Sequence, residues 1–125
     1  ELAEMLRRGD AWQKFQQMVA AQGGKVSALE KMATAHKAPF IAELKASHSG
    51  VIQRMDAGGI GKVVLELGAG RSKAADPVDA AVGCDHMAKT GAEVREGDVL
   101  IRVHARTQAA LDHALSVLPQ HIDIV

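Results

Sequence analysis

Gly91–His104 reads GAEVREGDVLIRVH, with two glycines spaced by a short run and followed by a longer apolar one. Glycine reaches the left-handed backbone conformations that tight turns require. Gly91 and Gly97 therefore mark turns, and Ala92–Arg95 and Asp98–His104 read as the short strands beside them. Val94 and Leu100 point inward in that reading.

Working outward, Thr107 can cap a last helix whose Ala110, Leu111, Ala114, Leu115 and Leu118 face inward. Pro119 ends it, and His121–Val125 reads as a final strand. Upstream, Ala80–Met87 reads as another strand. Asp56 can cap a helix from Ala57, with Ile60, Val63, Val64 and Leu67 as its buried stripe. Gly58, Gly59 and Gly61 weaken that helix intrinsically, so packing must hold it. Phe40–Ala46 and Gly50–Met55 read as two strands of a hairpin around Ser47-His48-Ser49-Gly50.

Before Pro39 the chain is helical in pattern. Leu2, Met5 and Leu6 fall at helical spacing, and Arg7, Arg8 and Gly9 end that segment. Asp10 can cap a second helix to about Ala21, with Trp12, Phe15, Met18 and Val19 on one face. Gly23-Gly24 stops it, and Ser27–Glu30 has the capping-box pattern of a third. The expected fold class is α+β: an N-terminal helical segment, residues 1–37, followed by a mixed α/β domain, residues 38–125.

The chain has 125 residues, of which 47% are hydrophobic and only 2% aromatic. The core must be built from aliphatic side chains. Lys plus Arg equals Asp plus Glu at 15 each. That balance lacks the basic footprint of a nucleic-acid or anionic-membrane binder. The scarcity of aromatics removes the stacking platform of a single-strand binder. Cys84 is the one cysteine, so no disulfide framework exists and a cytoplasmic setting is expected. Its apolar surroundings suggest a small buried hydrophobe. No apolar run has the length of a membrane span. The N-terminus ELAEMLRRGD has no initiator Met and is charged and helical in pattern. It is not a signal peptide, and we expect the chain to begin inside a larger protein.

Leu67–Gly83, LGAGRSKAADPVDAAVG, poses the main functional question. A dinucleotide fingerprint needs a third glycine where Lys73 stands, and it needs a strand before the loop rather than a helix. The Walker pattern does not fit either. A helix C-terminus explains the glycines, with Gly68 or Gly70 in the left-handed conformation. It does not explain Arg71, Ser72 and Lys73, which a loop leaves free to reach a partner. The histidines 36, 48, 86, 104, 113 and 121 are scattered, and no metal site is expected. Lys45-Ala-Ser-His48-Ser49 gathers donors on the expected hairpin turn, where a solvated turn is the simpler reading. No nucleophile elbow or triad order is present. Gly91-x-x-Val94-x-x-Gly97-x-x-Leu100 resembles a pattern of biotinyl and lipoyl β-sandwich carriers, yet no lysine sits at a hairpin tip beside a Met.

A further resemblance covers nearly the whole chain. Gly50-Val51-Ile52, Met55-Asp56, Ile60-Gly61, Leu67-Gly68-Ala69-Gly70-Arg71, Asp76, Asp79 and Val82-Gly83 run in the order seen in thymidine and pyrimidine-nucleoside phosphorylases. Gly91, Val94, Gly97, Leu100 and Val103-His104-Ala105 continue it. Upstream, Gly9-x-Ala11-x-x-x-Phe15 and Val19-Ala-Ala-Gln22-Gly23-Gly24 also resemble that family. The chain is similar to the C-terminal part of such an enzyme.

The resemblance implies a barrel-sandwich hybrid or α/β-hammerhead C-terminal domain for residues 38–125, with residues 1–37 belonging to the larger α/β domain. It implies reversible phosphorolysis of thymidine to thymine and 2-deoxyribose 1-phosphate by a cytoplasmic homodimer, without a cofactor. Phosphate and pyrimidine nucleoside would be held by the N-terminal part, so no catalytic residue is assigned to this chain. Gly68, Ala69, Gly70, Arg71, Ser72, Lys73 and Asp76 resemble the family segment that borders the cleft and holds the closed state. The alternative is a stand-alone β-sandwich module, carrier-like or made for interaction, without catalysis.

Overall fold

The structure, a computed structural model, describes residues 1–35, 37–71 and 73–125, with Ala33 and Thr34 as backbone only. It divides into two compact units, Glu1–His36 and Lys37–Val125.

The first unit is helical: α1 Leu2–Arg8, α2 Asp10–Ala21 and α3 Val26–Ala35. Gly9, at φ 81° and ψ 13°, ends α1 and begins α2. It takes the cap position expected of Asp10, because only glycine enters that left-handed conformation cheaply. Asp10 is instead the first residue of α2, and its carboxylate accepts from Arg8. Ser27 likewise lies inside α3 and does not precede it. The rings of Trp12 and Phe15 stand 5.7 Å apart. No residue of α1 or α2 is buried, so these helices close no core of their own.

The second unit contains β1 Phe40–Lys45, β2 Gly50–Met55, α4 Ala57–Val64, β3 Gly83–Asp85, β4 Glu93–Val94, β5 Val99–Ala105, α5 Gln108–Val117 and β6 Ile122–Ile124. The strands form two three-stranded antiparallel sheets, ordered β1-β5-β3 and β4-β2-β6. The protein is thus α+β, and among the described residues no helix is long and apolar enough to cross a membrane.

The expected β1–β2 hairpin does not form. β1 and β2 lie in different sheets, and both run antiparallel to the stretch Gly91–Ala105. The register begins with Phe40 opposite Ala105 and reaches Lys45 opposite Val99, with an irregularity between Leu44 and Lys45. It continues through Ala46 N–H to Asp98 O at 2.8 Å, Gly97 N–H to Ala46 O at 2.9 Å and Glu96 N–H to Ser49 Oγ at 3.0 Å. It resumes in the other sheet, with Gly50 opposite Val94 and Val51 opposite Glu93. One long two-stranded ribbon therefore bends from sheet to sheet at Ala46–Ser49, as strands do at the corners of packed sheets. Seven-residue β5 offers β1 a full-length partner, which a hairpin with β2 would forgo.

The core is aliphatic, as composition requires. Ile52, Ile101, Val103 and Leu118 are its largest fully buried side chains, each contributing about 1.5–3 kcal/mol of burial. Ile60, Val63 and Leu67 pack into it from α4 and the turn after it, and Leu111 and Ala114 from α5. Both expected caps here are present. Asp56 Oδ1 accepts from Gly58 and Gly59 N–H at 3.0 and 3.1 Å, and Thr107 Oγ1 accepts from Ala110 N–H at 3.2 Å. The strand expected over Ala80–Met87 shrinks to Gly83–Asp85, because His86 turns away at φ 47°.

Candidate functional site

A widened turn, Leu65–Ala69, continues α4, and within it Gly68 adopts φ 101° and ψ 7°. Gly68 is thus the left-handed residue that ends the helix. Gly70 is extended, and a Cβ there would lie 2.5 Å from Cδ1 of the exposed Leu65 side chain, which would have to turn aside. Ala69 packs partly buried against the core, which fixes the stem of the loop.

Beyond the stem the loop is polar. Arg71 and Lys73 are exposed, and among the described residues neither side chain has an ion-pair partner. Lys73 N–H donates to Asp76 Oδ2 at 2.8 Å and Asp76 N–H donates to Lys73 O at 3.0 Å, a small reciprocal turn. Ser72 lies outside the described residues.

The return of the loop is braced by residues that sequence reasoning did not place in the site. Asp79 N–H donates to Gly68 O at 2.9 Å, closing the loop's base. The Asp79 carboxylate receives Arg106 Nε and Nη2 at 2.8 and 2.7 Å, a bidentate fork. The same carboxylate holds the Arg106 guanidinium above its ordinary pKa. Arg106 directly precedes the Thr107 cap of α5, so the fork ties the loop to that helix. An arginine just ahead of a helix N-terminus opposes the helix dipole, and that conflict is the one local signal that it needs an acidic partner.

Two further polar clusters are structural ties. Asp85 on β3 receives Arg102 Nε and Nη2 at 2.7 and 2.6 Å, and His104 Nε2 lies 2.9 Å from it. These hydrogen bonds, Arg102 first, hold the Asp85 carboxyl well below the usual carboxylate range. Asp123 receives Arg54 Nε at 2.6 Å, and Asp56 lies 3.3 Å from His121 Nδ1. Burial, followed by the nearby Asp85 charge, pushes the Cys84 thiol up to about 11, consistent with an inert half-buried side chain. No group of three potential metal ligands occurs among the described residues. Ser47 Oγ and His48 Nδ1 are 3.0 Å apart, but His48 Nε2 faces the Ile124 carbonyl, so no carboxylate backs the ring. Lys89 opens a turn with Ala92 N–H on its carbonyl. The strands beside that turn, β3 and β4, pair in different sheets, so Lys89 is not at a hairpin tip.

The loop therefore carries two exposed cations, without ion-pair partners among the described residues, on a braced stem. Such an arrangement can bind or fasten.

The chain is similar to known proteins along most of its length. The thymidine phosphorylase of Burkholderia cenocepacia (strain HI2424) is 38% identical over 119 residues, covering 94% of this chain and 27% of that protein. The thymidine phosphorylase of Colwellia psychrerythraea is 34% identical over 92% of this chain and 26% of its own length. The pyrimidine-nucleoside phosphorylase of Staphylococcus haemolyticus is 33% identical over 98% of this chain and 28% of its own length. The chain thus spans about a quarter of the length of the curated relatives it matches. The family described as the pyrimidine nucleoside phosphorylase C-terminal domain matches residues 51–125. With more than half of its length so matched, this chain belongs to that family.

Proposed function

We propose that this chain acts as the C-terminal part of a thymidine or pyrimidine-nucleoside phosphorylase. That enzyme would convert thymidine and phosphate reversibly to thymine and 2-deoxyribose 1-phosphate. Residues 1–37 would belong to its larger α/β domain and residues 38–125 would form its C-terminal domain. The observation that carries this reading is similarity running through both units, over 119 residues, to a thymidine phosphorylase. The unburied α1 and α2 also suit helices that complete a larger domain. Phosphate and nucleoside would bind in the preceding part, and the enzyme would work as a cytoplasmic homodimer.

In this reading Gly68–Asp76 is a clasp. Arg71 and Lys73 fasten the closed state, in which water is kept from the reacting centre. The Asp79–Arg106 fork keeps the loop's stem in place while its cations engage. The 125-residue chain alone should release no thymine above a buffer blank, because it positions neither reactant. The full-length parent should release thymine from thymidine only when phosphate is supplied. A parent that releases no base in the presence of phosphate would overturn the assignment.

A further inference from the structure

The five aliphatic side chains of Leu44, Leu100, Pro119, Ile122 and Ile124 wall a cavity of about 220 Å³. They come from β1, β5, β6 and the turn before β6, so the cavity lies where the two sheets meet. Its polar lining is Lys45, Ser47 and His48, all exposed and therefore at the mouth. Leu100, at 3% exposure, is its most deeply buried wall.

The chemistry of the mouth is specific. The Ile124 carbonyl can only accept, so His48 Nε2, at 3.2 Å, carries a proton. In the neutral ring Nδ1 then accepts from the Ser47 hydroxyl, 3.0 Å away. When an anion approaches, the Ser47 hydroxyl can turn away from the ring. Its proton then donates to the anion, while His48 Nε2 keeps its bond to the Ile124 carbonyl. Lys45 adds a positive charge whose nearest carboxylate, Glu43, stands 3.9 Å away. Among the described residues no acidic side chain lines the cavity.

An apolar interior with a cationic, hydrogen-bonding mouth complements a molecule with an aliphatic body and one anionic end. The volume accepts about seven methylene-sized groups, at roughly 30 Å³ each. A pyrimidine base, polar around its ring edge, would find no partners along the five aliphatic walls. We propose that this cavity binds an aliphatic monocarboxylate of about six to eight carbons. Its chain lies among Leu44, Leu100 and Ile124, and its carboxylate meets Lys45 and the Ser47–His48 pair. The proposal is independent of the phosphorylase reading.

The test titrates the 125-residue chain with butyrate, hexanoate, octanoate and dodecanoate, and with octan-1-ol as the uncharged control. Methyl NMR signals of Leu44, Ile122 and Ile124 report occupancy. Affinity should rise about fourfold per added methylene and stop rising beyond octanoate, when the cavity is full. Octan-1-ol should bind about tenfold more weakly than octanoate, the scale of one charge-assisted contact. Lys45→Gln, at an exposed site, should weaken octanoate by a similar factor and leave octan-1-ol unchanged. Equal affinity for octanoate and octan-1-ol, a fourfold trend that continues to dodecanoate, or methyl signals that never saturate would each overturn the site.

Discussion

Gly59 and His121 are packed so closely that a Cβ on Gly59 would lie 2.0 Å from Nδ1 of His121 and 2.3 Å from its Cε1. The ring is held there by Asp56, whose Oδ2 is 3.3 Å from Nδ1 and whose N–H donates to the His121 carbonyl at 2.9 Å. Asp56 also caps α4, and the Gly59 N–H, ahead of His121, holds its carboxyl below the usual carboxylate range. The start of α4 and the turn before β6 are thus interlocked.

Gly59→Ala should therefore destabilise the protein. Forcing the ring aside costs about 1–3 kcal/mol, against which the helix gains about 1 kcal/mol from losing a glycine. In a His121→Ala background the obstruction is gone, and the same Gly59→Ala change should become stabilising. Urea denaturation of the four proteins of the cycle measures both signs. A Gly59→Ala effect that keeps its sign without His121 would refute the packing argument.

Acid should unfold the protein partly through Asp85. Its folded pKa lies well below the unfolded value of about 3.9. A carboxylate depressed in this way adds stability that is complete above about pH 5 and lost as pH falls toward the folded value. Asp56 and Asp123 are shifted in the same direction and add to the same limb. Asp85→Asn should lower the melting temperature by a few degrees at pH 7, because Arg102 loses the negative charge and one of its two acceptor oxygens. It should also flatten, without abolishing, the decline below pH 5. Melting curves from pH 7 to pH 2 separate the two effects.

In the full-length parent, Arg71→Ala should lower kcat about tenfold, the scale of one charge-assisted contact made on closure. Arg106→Ala should lower it in the same direction by loosening the stem. Both side chains are exposed, so neither change should move the melting temperature appreciably. Steady-state kinetics for thymidine and phosphate, beside melting curves, provide the check. Unchanged kinetics in Arg71→Ala would leave the loop as a helix cap only.

Cys84 should resist alkylation. With its thiol pushed up to about 11, its thiolate fraction at pH 8 is roughly two-hundredfold below that of an ordinary cysteine near 8.5. Intact mass after iodoacetamide treatment should show the native chain largely unmodified and the urea-unfolded chain modified once.

What the sequence reveals depends on the range of the signal. The Asp56 and Thr107 caps are legible because a cap acts on the next three residues. The bounds of β1 and β2 are legible from their own composition. Their partners are not: Ser47–Gly50 has the local chemistry of a hairpin tip, and only Glu93–Ala105, far along the chain, supplies the better pairing. At Asp10 the rule fails because the backbone of Gly9, not a side chain, decides where α2 begins. The glycines of the loop are legible, whereas the Asp79–Arg106 brace joins residues 27 apart. Lys45 and His48 stand together in the sequence, but the cavity they open onto needs Pro119, Ile122 and Ile124.

The bent ribbon also dictates when this protein can fold during its synthesis. β1 and β2 leave the ribosome long before β5, β4 and β6, the strands they pair with. A nascent chain that has reached α4 must therefore carry Leu44, Ile52 and Ile60 without a partner sheet. Such non-local pairing is slow and leaves apolar surface open to aggregation. Neither sheet can be completed until β5 has emerged, and the second also waits for Ile122–Ile124. A message cut short before those codons would yield β2 with one edge bare, and its product would be matter for chaperones and proteases.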